Sequence, residues 1–228
     1  DIVADSLIKR LGGVLKIGQI EAFVPIGIPF PKLAKQCAQL LAEKAARGEG
    51  KLVFGLSDQG VGGRFAADRL GLNIKKELKA LDISSRLVTS RERELSSVVV
   101  GQNKLLSKGA ELIFFRHQQD LFIVRTLAIQ PFKDLSRRDF GRPARDDHSG
   151  MLPPKLAQML INCAAQPSYE GLLLDPFCGS GTIITEAMLL GYQNLMGTDL
   201  SERAVKDSRV NAEWIRELYD LEVRPKFH

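Results

Sequence analysis

The stretch that decides the fold is 171–199, which reads GLLLDPFCGSGTIITEAMLLGYQNLMGTD. Its first apolar residues end at Asp175, a pattern typical of a buried parallel strand. A tight turn with two glycines follows, and the spacing of the next apolar residues predicts a helix over 182–190 that a further glycine ends. A second short strand, 195–198, closes on Asp199. This order of strand, glycine turn, helix, strand and acid predicts a parallel α/β unit.

The glycine turn and the second acid together indicate a nucleoside ligand. Glycines let a ligand lie close to the backbone at the positive N-terminus of the following helix. Asp199 stands 20 residues after Gly179, where a carboxylate can accept hydrogen bonds from both hydroxyls of a ribose. The spacing therefore predicts an adenine nucleoside of some kind.

Two residues distinguish among the nucleosides. The dinucleotide fingerprint G-x-G-x-x-G requires a third glycine where this chain has Ile184. Asp175, just before the turn, would repel a pyrophosphate and suits a cationic ligand such as S-adenosylmethionine, which has a sulfonium, an ammonium and no phosphate. The residues favour S-adenosylmethionine, and a nicotinamide or flavin site and a turn with a purely structural role stay open.

The turn also resembles a known motif. Residues 175–182, DPFCGSGT, are similar to the first motif of class I S-adenosylmethionine-dependent methyltransferases that act on exocyclic amines of bases. The resemblance implies a Rossmann-like sheet. It assigns cofactor binding to Asp175, Pro176, Phe177, Cys178, Gly179, Ser180, Gly181, Thr182, Asp199 and Leu200.

Composition sets the broad class of the 228-residue chain. A hydrophobic content of 44% with 26% charged residues is ordinary for a globular protein, and no apolar run approaches the ~20 residues of a membrane span. The three scattered cysteines offer no zinc spacing and no disulfide framework, and the acidic first residues do not form a signal peptide. We therefore expect a cytoplasmic protein with no metal site and no membrane partner. The net charge of +5 mildly favours a polyanionic partner.

The first 130 residues show the pattern of an α+β domain. Helices are predicted at 6–11, 32–46 and 68–81, the second with Cys37 on its buried face. Strands are predicted at 14–24, 51–57, 84–89, 97–101, 111–116 and 121–128. The glycine loop 60–63 between them is interpreted as a flexible connection.

Part of this region resembles an RNA-binding module. The segments KKELK (75–79), SSR (84–86) and LSSVVVGQN (95–103) are similar to a THUMP domain, which precedes several tRNA-modifying enzymes. The resemblance covers roughly 50–125 and implies that residues 1–48 are a ferredoxin-like segment whose first strand is missing. It assigns RNA binding to Lys75, Lys76, Lys79 and Arg86, although a solvated helix face would carry the same charges.

The joining segment carries a further resemblance. RRDFGRPARD (137–146) and SGMLPPKLAQ (149–158) are similar to the entry into the catalytic domain of the tRNA guanosine-10 N2-methyltransferase family. In that family the segment closes over the methionine end of the cofactor and the target base. The resemblance places Asp139, Arg142, Ser149, Met151 and Leu152 near the site, and His148 is interpreted as a loop residue. A helix follows, with a buried face predicted at Leu156, Met159, Leu160 and Cys163.

The acceptor motif [Asp/Asn]-Pro-Pro-[Tyr/Phe/Trp] of amine methyltransferases is not found between residues 1 and 228. Its oxygens would accept hydrogen bonds from the target amine and its ring would stack on the base. We expect it beyond His228, after a helix capped by Ser201 and a third strand starting at 221–223. The catalytic residues are then unknown, and a missing C-terminal half or a partner subunit is expected to supply them. By itself the chain is expected to bind the cofactor weakly or not at all.

The predicted fold is α/β, with three segments. Residues 1–48 form the ferredoxin-like segment, 49–130 the THUMP-like domain, and 131–228 the first part of a class I methyltransferase domain. The predicted function is transfer of a methyl group from S-adenosylmethionine to the N2 amine of a guanosine in tRNA. A DNA or rRNA amine methyltransferase, and a non-catalytic RNA-binding fragment, remain as alternatives.

Overall fold

The computed structural model describes residues 2–45, 50–61, 67–146, 150–164 and 171–228. It divides into two compact units. Unit 1 consists of Asp1–Asp5 and Leu15–Gln130, and unit 2 of Ser6–Val14 and Pro131–His228. The boundary after Gln130 lies where the sequence divides its second segment from its third. The predicted α/β class is confirmed.

Unit 1 contains five strands and four complete helices. The helices are α2 (Phe30–Ala45), α3 (Ala67–Ala80), α4 (Ser97–Gln102) and α5 (Leu105–Lys108), and α1 (Ile2–Arg10) begins in this unit and ends in unit 2. The strands are β1 (Lys16–Pro25), β2 (Leu52–Gln59), β3 (Ser85–Val88), β4 (Gly109–His117) and β5 (Asp120–Ile129). They form one sheet in the order β1-β5-β4-β2-β3.

The sheet of unit 1 is covered on both faces. Strand β2 is parallel to β3 and β4, while β5 is antiparallel to β4 and β1. One face packs Phe54 and Phe114 against α2 and α3, and Cys37 lies in this core as predicted. The other face packs Val53 against α4 and α5. Because β1 pairs with β5, residues on either side of the predicted boundary at 48 and 49 share one sheet and one core.

The predicted strand at 97–101 is wrong, because this segment is helix α4. Three consecutive valines favour a strand by propensity. However, the Ser96 side chain accepts a hydrogen bond from the Val99 N–H at 3.3 Å and caps the helix. Val100 then packs into the core beneath β2. The cap and this burial together outweigh a preference of less than about 1 kcal/mol.

Unit 2 is built on a three-stranded parallel sheet in the order β6-β7-β8. Its strands are β6 (Leu173–Asp175), β7 (Leu195–Gly197) and β8 (Lys226–Phe227). Its helices are α6 (Phe132–Phe140), α7 (Pro154–Ala164), α8 (Thr182–Leu190) and α9 (Glu202–Leu218). The predicted bounds of α8 and the Ser201 cap of α9 are confirmed. The third strand lies at 226–227 and not at 221–223, so that prediction is corrected.

Two predictions of burial in unit 2 are wrong. Strand β6 is at the edge of its sheet, and Leu172 and Leu174 are 59% and 50% exposed. The predicted buried face of α7 is exposed, and Pro154, Ala157, Gln158 and Ile161 are buried in its place. The reason is a tertiary contact, since the Gln158 amide donates to Glu186 of α8 at 2.9 Å and thereby sets which side of α7 turns inward.

Over the residues that the structure describes, no helix is both long enough and apolar enough to cross a membrane. The predicted glycine loop 60–63 falls partly on residues outside the described ranges.

Candidate functional site

The glycine turn connects β6 to α8 at the carboxyl end of the parallel sheet of unit 2. Gly179 and Gly181 have φ values of +51° and +85°, a left-handed conformation that glycine adopts without steric cost. A Cβ on Gly181 would lie 3.0 Å from the Ser208 hydroxyl, whereas a Cβ on Gly179 would meet nothing within 4 Å. The turn is therefore packed on the α9 side at Gly181 and open at Gly179.

Asp199 follows β7 and is bound to the turn. One carboxylate oxygen accepts a hydrogen bond from the Gly179 N–H at 3.0 Å, and the other accepts from the Ser201 N–H at 2.9 Å. Each carboxylate oxygen has two lone pairs, so each can still accept one hydroxyl. The structure thus brings Asp199 to the turn and keeps its capacity for two further hydrogen bonds.

Asp175 places a second carboxylate at the same turn. Its side chain accepts from the Phe177 N–H at 3.2 Å. Burial raises the pKa of Asp175, the Phe177 hydrogen bond lowers it, and the negative charge of Asp199 raises it. Since two neighbouring carboxylates repel each other, a cation between them would be stabilised.

The other predicted cofactor residues of the turn divide into exposed and buried ones. Pro176, Phe177 and Leu200 are exposed, with Phe177 at 82%. Gly179 and Ser180 are half-buried, and Thr182 is buried at the start of α8. Cys178 is buried under the turn, where its sulfur accepts a hydrogen bond from Ser208 and burial raises the pKa of its thiol. Cys178 therefore supports the turn with its side chain.

Helix α9 holds the turn through two residues that sequence reasoning missed. The Ser208 hydroxyl donates to the Gly179 carbonyl at 2.7 Å, and the Asn211 amide donates to the Ser180 carbonyl at 2.8 Å. Asn211 also exchanges two hydrogen bonds with the backbone of Ala144, at 2.9 and 3.0 Å. Both side chains are buried on the apolar face of α9. A polar pair three residues apart within an apolar helix face was the signal available in the sequence.

The joining segment reaches the turn through Arg142. Its guanidinium donates to the Thr182 hydroxyl at 2.6 Å and lies 3.5 Å from the Ser180 hydroxyl. Asp139 is half-buried and electrostatically raises the pKa of Arg142. Met151 and Leu152 are half-buried in the segment before α7. Ser149 and His148 lie outside the described residues.

The predicted RNA-binding residues of unit 1 do not share one face of the sheet. Lys75, Lys76 and Lys79 are exposed on α3, beside the exposed Leu72. Arg86 is exposed on the α4 side and donates to Asn103 at 3.0 Å. Because α3 and α4 cover opposite faces, the structure separates Arg86 from the three lysines.

Comparisons with known sequences give a family. Residues 74–210, more than half of the chain, match the N6/N4 methyltransferase family, which is described as DNA methylase. Three relatives are each named tRNA (guanine(10)-N2)-dimethyltransferase. The chain is 36% identical over 138 residues to that of Methanothermobacter thermautotrophicus, 38% over 66 residues to that of Methanocaldococcus jannaschii and 35% over 78 residues to that of Pyrococcus abyssi.

These matches are partial. They cover 57%, 29% and 34% of this chain and 38%, 18% and 21% of the relatives, in the same order. The chain thus aligns with about two fifths of the first relative or less. Among solved structures, TrmN from Thermus thermophilus superposes with a TM-score of 0.56 at 20% identity, over 94% of this chain and 57% of that one. At this identity the likeness supports the fold.

Proposed function

Since this chain belongs to the N6/N4 methyltransferase family, we propose that it is part of a tRNA methyltransferase that uses S-adenosylmethionine. The proposed product is a guanosine methylated on its N2 amine. The names of the three relatives support this substrate, and they also print a dimethylated product. The joining segment RRDFGRPARD, similar to that of guanosine-10 methyltransferases, supports the same choice.

The observation that carries the proposal is the bond between Asp199 and the Gly179 N–H, 3.0 Å long. It joins an acid suited to ribose hydroxyls to a turn whose Gly179 is open to a ligand. Asp175 would stabilise the positive charge of S-adenosylmethionine, so the residues present fit this cofactor. When bound, S-adenosylmethionine supplies an electrophilic methyl group. The chain's own residues hold the adenosine and its charged end.

Unit 1 is proposed as a THUMP-like module that contacts tRNA. The exposed lysines of α3 support it, because exposed cations attract the phosphate backbone without reading the sequence. The acceptor motif is proposed to lie outside residues 1–228. Its task is to hold the amine with hydrogen-bond acceptors and to orient the nitrogen toward the methyl group.

A second candidate, methylation of an exocyclic amine in DNA, is favoured by one observation. The family that the chain matches is described as DNA methylase. The glycine turn serves either substrate equally, so the substrate has to be identified by the product.

The test is methyl transfer from labelled S-adenosylmethionine by the full protein, with unmodified tRNA and duplex DNA offered separately. We expect N2-methylguanosine in digested tRNA and no label in DNA. Labelled N6-methyladenine or N4-methylcytosine in DNA would establish the second candidate instead. Label in neither would contradict both.

A matched pair of variants ties the activity to the turn. Gly181→Ala puts a Cβ 3.0 Å from Ser208 at a φ of +85°, so it distorts the turn. Gly171→Ala, before β6, meets nothing within 4 Å and is the control. We expect Gly181→Ala to abolish labelling while Gly171→Ala retains it.

A further inference from the structure

Two arginines lie one helical turn apart in unit 2, and both are buried. Arg138 is 5% exposed and Arg142 is 6% exposed. Taking a charge out of water costs several kcal/mol unless an opposite charge and hydrogen bonds compensate it. The two residues therefore pose the same question, which is where each finds its counter-charge.

Arg138 is fully compensated. Its guanidinium donates to both carboxylate oxygens of Glu186, at 2.7 and 3.2 Å, and forms a second ion pair with Asp134. Burial lowers the pKa of Arg138, but the charge and hydrogen bond of Glu186, the hydroxyl of Tyr219 and the charge of Asp134 together raise it. This arginine is a structural member of the α6–α8 contact.

Arg142 is compensated by neutral groups alone. It donates to the Arg138 carbonyl at 3.1 Å and to the Thr182 hydroxyl at 2.6 Å, and it forms no ion pair within the described ranges. Burial lowers the pKa of Arg142, the charges of Asp139 and Glu186 raise it, and that of Arg145 lowers it. Glu186 is already bound to Arg138. A buried cation without a carboxylate partner is a site where an anionic ligand gains binding energy.

The groups beside Arg142 suit an anion as well. It meets Ser180 and Thr182, at the N-terminus of the nine-residue helix α8. The first N–H groups of a helix lack intrahelical acceptors and favour negative charge. The carbonyl of Gly179 points to Ser208, and no peptide bond is cis, so the Ser180 N–H points away from α9. A guanidinium, two hydroxyls and backbone N–H groups therefore converge at one corner of the turn.

We propose that Arg142, with Ser180 and Thr182, binds the α-carboxylate of the amino-acid part of S-adenosylmethionine. The inference rests on the proposed function, and it goes further by assigning one end of the cofactor to a residue outside the glycine turn. Asp175 and Asp199 then face the cationic and ribose parts, while Arg142 faces the only anionic group of the cofactor. Arg142 is a binding residue that selects for the complete amino-acid end.

The experiment compares two ligands that differ in that end. S-adenosylmethionine carries the carboxylate, and 5′-methylthioadenosine lacks the whole amino-acid part. Calorimetric titration of both into the full protein is done for the unaltered protein, Arg142→Gln and Arg137→Gln. Arg137 is exposed on α6 and supplies the same charge change in the same segment. We expect Arg142→Gln to weaken S-adenosylmethionine about ten- to hundredfold, as for loss of a charged hydrogen bond, with 5′-methylthioadenosine within about twofold. Arg137→Gln should leave both unchanged.

Three results would overturn the proposal. Equal weakening of both ligands would mean that Arg142 only shapes the turn, and Arg142→Lys, which keeps the charge, should then restore neither. Unchanged cofactor affinity with weakened tRNA binding would assign the anion to an RNA phosphate. No binding of either ligand by the unaltered protein would overturn the proposed function and this inference together. Circular dichroism of Arg142→Gln checks that it folds.

Discussion

The two units use buried charge differently. In unit 1, Glu111 is fully buried and accepts hydrogen bonds from the Lys16 ammonium and from the hydroxyls of Ser57 and Thr126. Every group of this network serves another within the network. In unit 2, Arg142 is just as buried, yet its partners are hydroxyl and carbonyl oxygens. A closed network stabilises a fold, whereas an open one has binding capacity left for a ligand.

The apolar packing shows the same contrast. Strand β2 is buried along seven of its eight residues because helices cover both faces of its sheet. Strand β6, which carries the acid before the glycine turn, has exposed Leu174 and an unpaired edge within the described chain. The structure therefore assigns most of the apolar stabilisation to unit 1 and most of the ligand chemistry to unit 2. Each prediction below tests part of this division, from the largest expected effect to the smallest.

The largest effect is expected in the core of unit 1. Phe54→Ala removes a fully buried ring and should lower the free energy of unfolding by about 3–5 kcal/mol. Leu174→Ala, at a residue 50% exposed, should cost less than about 1 kcal/mol. Chemical denaturation followed by circular dichroism measures both. The one tryptophan, Trp214 in α9, reports unit 2 alone, so its fluorescence transition should not shift in Phe54→Ala. A shift in both signals would contradict separate cores.

The closed network of unit 1 is tested next. Glu111→Ala leaves the Lys16 ammonium buried without its partner and should cost about 3 kcal/mol of stability. The control is Glu21→Ala, since the Glu21–Arg125 pair is partly exposed and worth about 0.5 kcal/mol. Denaturation midpoints of the two variants give the comparison. Equal costs would show that burial does not distinguish the two pairs.

In unit 2, Asp199→Ala should affect cofactor binding more than stability. It removes the proposed partner of the ribose hydroxyls and should weaken S-adenosylmethionine by about 1.5–3 kcal/mol. Glu202→Ala, an exposed acid three residues on, keeps the affinity and controls for local charge. Calorimetry measures the affinity and Trp214 fluorescence the fold. Unchanged affinity in Asp199→Ala would remove Asp199 from the site.

The smallest effect per residue is expected on the surface of unit 1. Neutralising the α3 lysines, Lys75, Lys76 and Lys79, should reduce tRNA affinity about twofold per lysine and flatten its salt dependence by up to about 0.9 per lost phosphate contact. An equal charge change on the opposite face, at Arg86, Lys104 and Lys108, is the comparison. Binding isotherms at several salt concentrations give both slopes. A flatter slope only for the second set would move the RNA-binding face to the α4 side.

The sequence predicted what local chemistry determines. The start of α8 follows from Gly181, its end from Gly191, and the start of α9 from the Ser201 cap, because each signal lies within a few residues of its effect. The acid Asp199 was found for the same reason, since the spacing of strand, turn and helix fixes its position beside Gly179.

What tertiary partners determine could not be read from the sequence. The stripe of α7 was wrong because Glu186, 28 positions away, selects Gln158 for burial. Arg142 was placed near the site only by resemblance, and its lack of a carboxylate partner is visible only when Arg138 is seen to occupy Glu186. Asn211 joins Ala144 to Ser180 across 67 and 31 positions, a distance over which no pattern in one sequence carries information.

This arrangement of Asn211 has a consequence for synthesis on the ribosome. Residues 142–182 leave the exit tunnel before α9 does, yet the carbonyls of Gly179 and Ser180 are held by Ser208 and Asn211 of α9. A nascent chain therefore completes unit 1 while the turn still lacks its support. Stalled chains should protect the turn from protease only once residue 211 has emerged, and earlier protection would contradict this order. The ligand pocket is thus a late product of translation, formed after the sheet that is proposed to meet the RNA.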